Sequence, residues 1–107
     1  MRRGTTPTFT LNVTGATFSG CNVYVTIRQN GVMLTKSGED LDISVIDEEH
    51  CKIVIGLTQE ETLSLKTGKA AIQIRWIDST GVAGASSIKE FCVNPILLEG
   101  EITYAGN

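Results

Sequence analysis

Aromatic side chains make up only 6% of this chain, histidine occurs once and proline twice. With so few rings to fill an interior, the core has to be built from Val, Ile and Leu, which favour strands. A single histidine, His50, leaves little material for acid–base chemistry. Cys51 stands next to it, but neighbours in a strand point to opposite faces and do not make a working nucleophile–base pair. The apolar stretches fall far short of the roughly 20 residues a membrane span needs. Arg2-Arg3 is followed by threonines and a proline, not by an apolar signal core. A formal net charge of −3 and a pI near 5.0 speak against the dense basic face that neutralises phosphates. The expectation is a protein folded in a cytoplasm, with neither nucleic acid nor membrane as partner.

Cys21, Cys51 and Cys92 are odd in number, so at least one thiol stays unpaired within the chain. Reduced, partly buried thiols suit that compartment. No Cys-x-x-Cys knuckle brings them near His50 as zinc ligands, and scattered cysteines read as small core residues. The carboxylates Glu39, Asp40 and Asp42, and then Asp47, Glu48 and Glu49, lack the spacing of a calcium loop and read as solvated turns. Lys66-Thr67-Gly68-Lys69 lacks the spacing of a phosphate cradle. No metal, cofactor or catalytic set is expected.

What the chain does have is period two. Seven strand candidates run over Thr8–Val13, Asn22–Gln29, Val32–Lys36, Leu41–Ile46, Cys51–Leu57, Lys69–Asp78 and about Ser86–Val93. Phe9, Leu11 and Val13 share one face of the first, with Thr8, Thr10 and Asn12 on the other. Asn30-Gly31 between the second and third is a strong hairpin signal, because both turn residues take positive φ. Thr58 with Glu61 is a capping box, so a helical turn is expected over Gln59–Leu65, between strands five and six. Trp76, the one tryptophan, suggests the centre of a sheet–sheet core. Gly and Asp/Ser turns recur about every 8 to 12 residues, the pattern of a sandwich. The fold class expected is therefore all-β: one seven-stranded, immunoglobulin-like antiparallel sandwich over residues 1–107, with flexible ends at about 1–6 and 96–107.

The opening, Arg2-Arg3-Gly4-Thr5-Thr6-Pro7-Thr8-Phe9-Thr10, resembles the start of small structural proteins encoded in the tail regions of tailed bacteriophages and prophages. The stretch Ile55-Gly56-Leu57-Thr58-Gln59-Glu60-Glu61-Thr62 and the strand Ala71–Trp76 follow in the order that resemblance implies, so the likeness reaches about Leu98. The layout is similar to the N-terminal β-sandwich of phage baseplate upper proteins. The resemblance implies a non-enzymatic virion protein of tail, baseplate or neck, whose partners are other phage structural proteins and further copies of itself. Arg2, Arg3, Thr5, Thr6, Thr8 and Thr10 are the candidate interaction residues, since an uncharged, threonine-rich sheet edge invites a strand from another chain. The alternative is a carbohydrate- or host-surface-binding adhesion module, which would draw on Tyr24, Trp76, Phe91 and Tyr104 as its aromatic platform.

Overall fold

A computed structural model of the chain describes residues 1–15 and 17–104. It is all-β, with two antiparallel sheets facing one another. The strands are β1 (Thr8–Thr14), β2 (Cys21–Gln29), β3 (Val32–Ser37), β4 (Asp42–Val45), β5 (His50–Gly56), β6 (Gly68–Asp78), β7 (Ala83–Ala85) and β8 (Lys89–Val93). One sheet has the order β1-β5-β4, the other β3-β2-β6-β7, with β8 also on β6. The chain changes sheet after β1, after β3 and after β5. The last crossing carries the helix α1 (Gln59–Leu63).

Local chemistry accounts for these connections. Gln29 pairs with Val32 around Asn30 and Gly31, whose φ angles are 39° and 87°, as a two-residue hairpin requires. The Thr58 hydroxyl accepts from the Glu61 N–H at 3.1 Å, and a Glu61 carboxylate oxygen accepts from the Thr58 N–H at 2.9 Å. The same carboxylate holds Lys36 of β3 at 2.7 Å, tying α1 to the larger sheet. The helix is shorter than the Gln59–Leu65 expected. Leu65 is fully buried, and Arg3 bonds the carbonyls of Leu63 and Leu65, so the chain leaves the helix to seat Leu65 in the core.

The core lies between β2–β6 and β5. Val25, Ile27, Ile53, Ile55, Leu65 and Val93 are its most deeply buried aliphatic side chains. Burial of each contributes about 1.5–3 kcal/mol relative to exposure. Gln29, at the end of β2, is buried too, and its amide exchanges two 2.6 Å hydrogen bonds with the backbone of Lys66. Trp76 does not occupy the centre, which corrects the expectation. It packs half-buried at the margin, its ring 5.1 Å from that of Phe18.

Among the described residues there are eight strands rather than the seven expected. β7, on Arg75–Ile77, lies ahead of the expected Ser86–Val93, of which only Lys89–Val93 pairs, as β8 on Gly68–Ile72. Between them Ser86 breaks the ladder, because its hydroxyl rather than a backbone oxygen accepts the Ile74 N–H, at 3.0 Å. β7 begins inside the stretch expected as a turn. Gly84 makes this possible, since a Cβ there would stand 2.5 Å from the Trp76 ring. The true loop is closed by Asp78, whose carboxylate accepts from Thr80 and Val82.

Candidate interaction edge and flank groove

β1 is an edge strand, and its register with β5 shows which of its backbone groups are free. Leu57 N–H donates to Pro7 O at 3.1 Å and Gly15 N–H to Glu49 O at 2.6 Å. Hydrogen-bonded pairs alternate along an antiparallel ladder, so Phe9, Leu11 and Val13 spend their backbone groups on β5. The N–H and C=O groups of Thr8, Thr10, Asn12 and Thr14 point to the open side. Their side chains are exposed, whereas Phe9, Leu11 and Val13 turn inward. The strand carries no charge at all. Charges, prolines and bulges are the usual means of blunting such an edge, and none lies within β1.

Beside this edge the two sheets part to leave a groove of about 580 Å³. Phe9, Leu11 and Val13 form one wall, with Ile72, Ile74 and Trp76 of β6 opposite; Phe91 stands near Phe9, the two rings 5.4 Å apart. Ser86, Ser87 and Lys89, at and beside the break between β7 and β8, line it as well. Lys89 has no ion-pair partner among the described residues, while its neighbour Glu90 faces Lys69 at 3.7 Å. The groove is thus apolar inside, with one free cation among its lining residues. It offers shape and backbone pairing rather than reactive groups.

The residues singled out in the sequence divide into three sets. Thr8 and Thr10 lie on the open edge, as the pattern suggested. Arg2, Arg3 and Thr5 serve as internal fasteners. The Arg2 guanidinium donates to Pro95 O at 2.7 Å, and Arg3 holds Leu63 O, Leu65 O and the Glu99 carboxylate. The Thr5 hydroxyl bonds Arg2 O, and its carbonyl accepts from the buried Thr62 hydroxyl at 2.9 Å. Thr6 is exposed and makes no side-chain hydrogen bond among the described residues. The head expected as a flexible end is therefore tied to α1, to Asn94 and to Glu99. Of the tail over 96–107, residues 105–107 lie outside the described residues.

Sequence reasoning missed the groove's far wall. The sequence reading offers Trp76 as a core residue and Trp76 and Phe91 as aromatics of a platform, not as walls of a groove, and the serine pair Ser86-Ser87 is the available sign that the pairing on β6 breaks there. It also missed Gln59, whose amide donates to Ile102 O and accepts from Ile102 N–H, both at 2.9 Å.

His50 and Cys51 fall on opposite faces of β5. His50 is exposed, with Nδ1 2.7 Å from the Asp47 carboxylate, while Cys51 is buried and burial pushes its thiol above the ordinary value. Among the described residues no three His, Cys, Asp or Glu side chains gather as metal ligands, and no helix is long and apolar enough to cross a membrane. No family model, no curated protein and no solved structure matches the chain.

Proposed function

We infer that this chain is a non-enzymatic structural subunit of a phage virion, from the tail, baseplate or neck, which works by protein–protein contact and self-assembly. The carrying observation is the open edge of β1, an uncharged strand with four residues' backbone groups free, lying beside an apolar groove. The likeness of the RRGTTPT opening and the LTQEET segment to tail-region proteins supports the virion setting. An immunoglobulin-like reading of the sandwich fits too. Orders β1-β5-β4 and β3-β2-β6-β7 follow the B-E-D and C′-C-F-G arrangement, with no strand in the place of A among the described residues. If β7 and β8 are taken as one interrupted strand, that arrangement has seven.

Light scattering after size exclusion tests this reading, together with capture by the structural proteins encoded beside it. Concentration-dependent self-association or binding to such a neighbour is expected. A chain that stays monomeric and binds none of them overturns the reading. One observation favours the adhesion alternative, since Trp76 and Phe91 line the groove together with Ser87 and Lys89. On that reading a glycan array lights up, and Trp76→Ala silences it while the fold is kept.

A further inference from the structure

The smaller sheet stops where one more strand would fit, and the same molecule carries a strip of chain whose apolar side chains have nowhere to go. Leu97, Leu98, Ile102 and Tyr104 are 105%, 72%, 61% and 95% exposed. We propose that the segment Leu98–Tyr104 of a second copy lies along the free edge of β1 and fills the flank groove, so that one copy completes the smaller sheet of the next. This rests on the assembly reading above and names its partner.

The pattern of the tail selects this occupant. In extended conformation Leu98, Ile102 and Tyr104 share one face, with Gly100 between them, and Glu99, Glu101 and Thr103 share the other. Laid beside β1, the first face enters the apolar groove and the second lies with the threonines of β1. Finally, Gln59 already grips the N–H and C=O of Ile102 together, as one rung of a neighbouring strand would. Among the described residues the segment is bonded to Gln59 and, through Glu99, to Arg3, and these bonds can be exchanged for the ladder on β1. A contact that joins the tail of one copy to the edge of another is heterologous, so it builds a ring or an open chain.

The test uses full-length protein and two variants. Thr10→Pro removes an N–H that points away from β5, so the copy's own ladder loses nothing while the outer edge is blocked. Ile102→Asp alters only an exposed tail side chain. Sedimentation over a concentration series should show each variant self-associating about tenfold or more weakly than the unaltered chain, the scale of one lost rung or anchor. Mixing the two should restore a heterodimer that grows no further, because one contributes only an intact tail and the other only an intact edge. In the unaltered protein the amides of Thr10 and Asn12 should gain hydrogen-exchange protection as concentration rises. If both variants associate as the unaltered chain does, the tail-to-edge contact is wrong while the assembly reading stands. Protection of those amides at every concentration in a monomer means that the tail folds onto its own β1, which also overturns the proposal. A chain that is monomeric, unprotected there and silent toward tail proteins sinks both readings.

Discussion

In the larger sheet β2 and β6 pair along eight residues and are flanked by β3 on one side and by β7 and β8 on the other. In the smaller sheet only β5 has neighbours on both sides, and β4 meets it over four residue pairs. The inward side of β5 is nonetheless as deeply buried as that of β2, with Ile53 and Ile55 at 0% and 1% exposure. The strands beside it are not, and on β4 Ile43 and Val45 remain 37% and 60% exposed. A sheet with a finished centre and two unfinished edges is stable enough to fold yet still has pairing capacity left over. That contrast is what a subunit built for addition needs.

Substitutions in the two sheets should differ in their cost. The largest effect is expected for Ile27→Ala, at the centre of the larger sheet, where a cavity in a sealed core costs about 2–5 kcal/mol. Ile43→Ala on the edge strand β4 should cost well under half as much in the same urea titration. Equal losses would mean that the two sheets are equally tight. Next in size is Gly84→Ala. Its Cβ would meet the Trp76 ring at 2.5 Å, and such overpacking costs about 1–3 kcal/mol. The Trp76 fluorescence spectrum should shift with it, and an unchanged spectrum with unchanged stability would mean that the ring is free to move.

A smaller effect concerns acid. Burial alone would raise Glu61, but hydrogen bonds from Lys36 and from the Thr58 N–H outweigh it and hold the carboxyl below its usual 4.5. A lowered folded-state value means that this contribution is complete above about that pH and fades as the pH falls through the lowered value. Asp47 and Asp78 shift the same way, chiefly through the Glu49 N–H and the Thr80 hydroxyl respectively. Unfolding midpoints should therefore drop between pH 5 and about pH 3, and Glu61→Gln should make that drop shallower. The smallest effect belongs to Val45→Thr, expected within about 0.5 kcal/mol of the unaltered chain because the side chain is already mostly in water.

Much of the larger sheet could be read directly. Val23, Val25 and Ile27 alternate cleanly, Asn30-Gly31 admits one turn type, and Thr58 with Glu61 makes a cap wherever a helix follows. All three are local, and local chemistry is what a sequence displays. The break at Ser86 is different, since it depends on a serine hydroxyl meeting the Ile74 N–H across the sheet. Trp76 went to the margin because Gly84 opposite it leaves room for the ring there. Half of the candidate edge was legible, in Thr8 and Thr10. Arg2 and Arg3 looked like free basic groups, but their partners are carbonyls and a carboxylate from 60 to 96 positions away, a pairing that no spacing rule reveals.

The bonds between the head and Asn94 have a consequence for biogenesis. Arg3 N–H donates to Asn94 O, and Asn94 N–H donates to Met1 O. Residues 1–3 therefore stay without these partners until Asn94 has been synthesised. Closure is thus a high-contact-order event, of the kind that slows folding.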